Sequence, residues 1–115
     1  MDKAMNENPE AIEMYSTNET ICYDGRKIRW TGKLVSSGCI GGIGICVHQT
    51  KGGKWVAWIC THRYDDETLD DVVKADSKRK LIATLHRHIW SREENFLGVF
   101  QICFPEDDIW VDVIE

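Results

Sequence analysis

Two short cysteine–histidine pairs, Cys46 with His48 and Cys60 with His62, carry the residue types that bind zinc. The same residues alternate with apolar ones, as they would in a hairpin over residues 43–61. In that hairpin the two histidines would lie about 20 Å apart, at ~3.3 Å per residue along each strand, which is too far for one ion. We therefore expect thiols and histidines on a sheet, with no metal and no cofactor.

Cys39 lies in a glycine-rich stretch, residues 36–44, that could supply a nucleophile or cradle a phosphate. The stretch lacks both the G-K-[ST] ending and the G-x-G-x-x-G spacing of phosphate loops. Five cysteines without a C-x-x-C pair indicate neither a disulfide framework nor a zinc ribbon. We expect a bulge or bend between strands in this stretch, and we predict no catalytic residue.

Acidic residues are concentrated in one segment that follows a basic one. The chain has a net charge of −5, and residues 64–73 alone carry −5, whereas residues 20–63 carry +6. The acidic segment lacks the glycine and the 12-residue spacing of a calcium loop. A band of one sign attracts a partner of the opposite sign before contact. We expect a basic protein partner to be steered by Asp65, Asp66, Glu67, Asp70 and Asp71.

A basic stretch over residues 74–87 has the character of a nucleic-acid contact, and Trp55 or Trp90 could stack on a base. Acidic bands flank this stretch on both sides and would repel the same phosphate backbone. Nucleic-acid binding is therefore disfavoured. It is kept as the alternative function, together with a small enzyme whose site has no recognised motif.

The first predicted hairpin turns at Asp24-Gly25, a pair that suits the type I′ turn. Closure by two residues pairs Ile21 with Ile28. Because side chains alternate between the two faces of a strand, this register predicts one apolar face. That face carries Ile21, Tyr23, Ile28 and Trp30.

Two further hairpins are predicted. The second turns at Lys51–Gly53, with glycine in the left-handed position of a three-residue loop, and pairs Ile45 with Ile59. The third spans residues 96–114 and turns around Pro105, which suits the second position of a type I turn.

Helical periodicity over residues 66–91 predicts one kinked helix or two consecutive helices. Thr68 would begin the segment, and Asp76 or Ser77 would cap its second part. A short helix over residues 8–15 is predicted before the first strand.

These elements predict an α+β fold, a mostly antiparallel sheet of about six strands with one kinked or paired helical segment packed on one face. The 115 residues, 43% of them hydrophobic, are expected to form a single domain over residues 1–115. No run of about 18 apolar residues is present, and the first residues have no signal-peptide pattern. We therefore expect a cytoplasmic protein that does not span a membrane.

Trp58 and Trp110 are predicted on the sheet face that the helical segment leaves uncovered, where the helix over residues 8–15 is the competing cover. Tryptophan is enriched at binding hot spots, so this face is a candidate interface for a protein partner or a second copy of the chain. The sequence thus predicts a small acidic protein-binding module, an inhibitor or immunity-type antagonist that acts by direct binding. The general profile resembles the small antagonists of phages and the immunity proteins that neutralise bacterial toxins.

Overall fold

The computed structural model describes residues 15–62, 68–88, 91 and 95–105. These residues form five strands and two helices, so the α+β class is confirmed, with five described strands rather than about six. In chain order the elements are β1 (Tyr15–Ile21), β2 (Lys27–Ile40), β3 (Ile43–Thr50), β4 (Trp55–His62), β5 (Thr68–Ala75), α1 (Lys78–His86) and α2 (Phe96–Cys103). The strands follow sequence order in one antiparallel, curled sheet. The predicted helix over residues 8–15 lies outside the described residues, except for Tyr15, which begins β1.

The β3–β4 hairpin has the predicted register. Ile45 pairs with Ile59 and Val47 pairs with Ala57. Gly53 takes a φ of 86°, which glycine adopts without steric cost. All four paired side chains are fully buried, and they form the centre of what we call the helix face of the sheet.

The β1–β2 hairpin has a loop one residue longer than predicted. Gly25 takes a φ of 91°, and the N–H of Cys22 donates to the carbonyl of Arg26 at 2.7 Å. This three-residue loop pairs Ile21 with Lys27, so the predicted register is wrong by one residue. A shift of one residue exchanges the two faces of a strand. Ile21 and Tyr23, predicted on the same apolar face as Ile28 and Trp30, are exposed as a result.

The predicted helix over residues 66–91 is wrong in its first part, because Thr68–Ala75 forms strand β5. Leu69, Val72 and Val73 fit a helical period, but strand β4 offers an open edge, and pairing with it satisfies the backbone polar groups of β5. The helix begins only after Ser77, whose side chain accepts a hydrogen bond from the N–H of Lys80. Ser77 is therefore the N-cap, as the sequence predicts.

The third hairpin is wrong in its described part, since Phe96–Cys103 forms helix α2. Phe96, Val99, Phe100 and Cys103 are buried, and their spacing is that of one helix face. Residues beyond Pro105 lie outside the described part of the chain. Both helices pack on the helix face and complete the larger hydrophobic core.

The opposite face, which we call the inner face, carries Trp30, His48, Val56, Trp58 and Val72. The β1–β2 hairpin lies over it, because the 14-residue strand β2 passes from one layer to the other through a bulge between Leu34 and Ser36. Cys22 and Trp30 of the hairpin pack there on Val56 and Val72, and they form a second, smaller core.

Candidate functional site

Asp70 is on β5, the last strand in the sheet order, with its side chain on the inner face, and it is 9% exposed. One of its carboxylate oxygens, Oδ2, accepts hydrogen bonds from the Thr20 hydroxyl at 2.6 Å and from the Trp58 indole N–H at 2.9 Å. Its backbone carbonyl accepts from the N–H of Tyr23 at 2.7 Å. Asp70 thus joins β5 to the β1–β2 hairpin and does not present its charge to a partner.

Asp71, the next residue, has its side chain on the helix face and is also buried. Its Oδ1 accepts from a guanidinium nitrogen of Arg26 at 2.8 Å, and its Oδ2 is hydrogen-bonded to Nε2 of His88. The carboxylate therefore ties the first loop to the end of α1. Sequence patterns gave no signal for Arg26 or His88 as partners, because both lie far from Asp71 along the chain.

The five acidic residues of residues 64–73 therefore do not form one exposed surface. Asp70 and Asp71 stabilise the structure from inside, whereas Asp65, Asp66 and Glu67 lie outside the described residues. Their role in steering a basic partner stays a prediction. Trp110 also lies outside the described residues, so its role as an interface anchor stays a prediction as well.

Trp58 is half-buried on the inner face, where the β1–β2 hairpin is the described cover. Its ring meets the ring of Trp30 edge to face, with 5.6 Å between centroids, and Trp30 meets His48 in the same way at 5.7 Å. Burial lowers the pKa of His48 below its ordinary value of 6.5. The three rings form a packed aromatic cluster, and Trp58 still borders an open cleft.

That cleft, about 320 Å³ in volume, brings together three thiols, Cys39, Cys46 and Cys60. Burial raises the pKa of Cys60 to about 12, and the nearby Asp70 carboxylate adds to the shift. Burial also raises the pKa of Cys46, whereas Cys39 is exposed. Thiols held protonated in this way are poor nucleophiles and poor metal ligands at neutral pH. In the described part of the chain, no group of three metal-ligating side chains is placed to hold an ion.

The glycine-rich stretch forms the end of β2, a tight turn and the start of β3, rather than a phosphate loop. Gly41 takes a φ of 60° at the turn. Gly38 allows close approach of α2, because a Cβ at this position would overlap the Ile102 side chain. The predicted bend between strands is thus present, and its glycines serve turning and packing.

The end of β2 offers a surface of a different kind. β1 pairs with β2 only as far as Lys33, and no described strand pairs with that side of β2 from Leu34 to Ile40. Two side chains of β2 and two of α2, which packs on it, are large, apolar and about half exposed. This set, which we call the β2 edge, consists of Leu34, Val35, Leu97 and Ile102.

The basic stretch 74–87 is divided between two elements, since Lys74 belongs to β5 and the other cations belong to α1 or its C-cap. Arg79, Lys80 and Arg87 are exposed. They lie on the side of α1 opposite the buried Leu81, Ile82 and Leu85, so they form a solvated helix face.

Neither described helix is long and apolar enough to cross a membrane. Comparison of the chain with protein-family models, with curated proteins and with solved structures gave no match.

Proposed function

We propose that this chain is a small acidic protein-binding module that acts by direct binding, as an inhibitor or an immunity-type antagonist does. The β2 edge is the observation that carries the proposal. A strand edge offers unpaired N–H and C=O groups, and an extended segment of a partner can add to it as a further strand. The exposed apolar side chains beside the edge would bind the side chains of that segment.

The lack of charge along this edge supports the proposal. Natural sheets protect their edges with lysine, proline or inward-pointing charge. Here 29% of the residues are charged, yet no Asp, Glu, Lys or Arg occurs from Leu34 to Thr50. The edge therefore carries no charged side chain that would oppose strand addition, although charged residues are common elsewhere in the chain.

The charge of the rest of the chain indicates the kind of partner. A net charge of −5 favours a partner with a basic surface around the segment that docks, because opposite charges accelerate encounter. Asp65, Asp66 and Glu67 are the residues proposed to steer it, and Trp110 is proposed as an additional anchor. Reversal of these three acids to Lys should slow association at low salt, and the difference should shrink as salt is raised.

Site-specific photo-crosslinking in cells of the native source tests the proposal. A benzophenone amino acid at Leu34 should give one discrete crosslinked protein, whereas the same group at Arg79, on α1, should not. Excess unlabelled protein should abolish the crosslink, and excess V35K protein should fail to do so. A T31K variant is the matched control, since Thr31 is also exposed on β2 and should compete like the unaltered chain.

Equal crosslinking from Leu34 and Arg79, or no product from Leu34, would contradict the proposal. A product from Arg79 that a nuclease digests would instead support the alternative, nucleic-acid binding through the basic stretch 74–87.

A further inference from the structure

We propose that a second site binds a small organic monoanion with an aromatic body, in a cavity under the β1–β2 hairpin. The cavity has a volume of about 360 Å³, which is within the usual range for small-molecule pockets. It lies between the start of β2 and the strands β4 and β5, away from the β2 edge. The inference is independent of the proposed function, because it uses other residues and another class of ligand.

The apolar part of the cavity is formed by Ile28, Trp30, Val56 and Val72, all of which belong to the smaller core. Trp30 is 7% exposed, and its ring forms one wall of the cavity. The flat ring of an aromatic ligand would pack on the ring of Trp30.

The positive charge of the cavity sets the charge of the ligand. Arg26 lines the cavity and is already paired with Asp24 and Asp71. Lys27 and Arg29 line it as well, and both are paired with Glu19.

Lys74 differs from these three cations. It is exposed, lines the same cavity, and makes no ion pair with any described residue. Among the described residues, three carboxylates thus neutralise three of the four cations, and one positive charge remains. A ligand with one negative charge matches that balance, whereas a polyanion such as a nucleoside triphosphate does not.

The chemistry of the cavity therefore fits an aromatic carboxylate or sulfonate. Its ring would lie on the apolar side chains, and its anionic group would meet Lys74. We use 2-naphthoate as the probe and the uncharged 2-naphthamide as its matched control, since the two have the same aromatic body.

Titration of the isotope-labelled full chain, followed by amide chemical shifts in NMR spectra, tests the site. Saturable shifts at Ile28, Val56 and Val72 are expected with naphthoate, and at least tenfold weaker binding with naphthamide. The K74M substitution, at an exposed position, should weaken naphthoate binding at least tenfold. K80M removes one exposed lysine outside the cavity and should leave the affinity unchanged.

Trp30→Leu removes the flat ring on which the ligand would pack, so it should weaken naphthoate and naphthamide by a similar factor. Because Trp30 is buried and this variant could fail to fold, the exposed K74M variant decides the question without it. The proposal is overturned if naphthoate does not saturate at millimolar concentration, if naphthamide binds equally well, or if K80M weakens binding as much as K74M does.

Discussion

The indole N–H of Trp58 donates a 2.9 Å hydrogen bond to Oδ2 of Asp70, across the neighbouring strands β4 and β5. The same oxygen accepts the hydroxyl of Thr20, fifty residues earlier in the chain. A single buried carboxylate oxygen therefore orients the tryptophan that borders the thiol cleft and also holds the first hairpin against the sheet. The thiol cleft, which Trp58 lines, and the hairpin that covers the second cavity are therefore both stabilised by this oxygen.

Replacement of Asp70 by Ala should lower the free energy of unfolding by about 2 kcal/mol, because it leaves two donors without an acceptor in a largely buried place. Urea denaturation measures the change. D76A is the matched control, since Asp76 is an exposed carboxylate whose ion-pair partner among the described residues is the exposed Lys54, and its loss should cost much less. Equal losses in the two variants would show that Asp70 has no special role.

Stability should fall between pH 7.5 and pH 5.5 through the burial of His48. Its pKa in the folded protein lies below 6.5, so the unfolded chain takes up a proton first as the pH is lowered. Neutral His48 contributes fully to the free energy of unfolding above pH 6.5. This contribution is lost as the pH falls below 6.5, and the loss reaches up to about 1.4 kcal/mol at pH 5.5. H48Q should remove that part of the pH dependence while the other titrating groups keep theirs. An unchanged pH profile in H48Q would exclude this assignment.

Cys39 should be the first of the described cysteines to react with iodoacetamide in the native protein. It is the exposed thiol of the cleft, whereas burial raises the pKa of Cys60 and of Cys103 to about 12. Mass spectrometry at short times near pH 8 should show one modified site, and C39S should lose it. Early modification of Cys60 in C39S, at the rate seen for Cys39, would contradict the arrangement of the cleft.

Truncation of Trp58 to Ala should destabilise the protein by about 3 kcal/mol, because the ring packs on Trp30 and the bond to Asp70 is lost. Trp110→Ala is expected instead to weaken binding of a partner or of a second copy, by about 2 kcal/mol or more. Thermal unfolding and binding measured side by side separate these effects. If both variants lose stability heavily while the remaining folded protein binds normally, the interface hypothesis for the two tryptophans fails.

The sequence predicts the parts of this fold that local chemistry decides. The β3–β4 register follows from strict alternation and from Gly53, and the start of α1 follows from Ser77. Strand β5 is not predicted, because Leu69, Val72 and Val73 also fit a helical period. Pairing with the neighbouring strand β4 is what favours a strand over a helix here. Helix α2 has the opposite ambiguity, since Phe100, Ile102 and Phe104 alternate as a strand would.

The buried polar contacts are the least predictable features. The composition of an acidic run predicts that its side chains are exposed. Asp70 and Asp71 are buried instead, because residues distant in the chain donate hydrogen bonds to their carboxylates. Thr20, Arg26 and His88 carry no local pattern that marks them as those donors. The cavity beside Trp30 is not predictable from the sequence for the same reason, because its walls come from three strands that only the curled sheet brings together.

Strand β2 belongs to both hydrophobic cores, with Trp30 in the smaller one and Ile40 packed against the larger one. No linker separates the two cores, since a bulge alone redirects the strand between them. Neither core can therefore lose its structure without loosening a strand of the other, and the described part of the chain should unfold cooperatively, in one step. In a variant whose other three tryptophans are replaced by Phe, the fluorescence of Trp30 and Trp58 reports on the smaller core. This signal and helical circular dichroism, which reports on the larger core, should change at the same denaturant concentration.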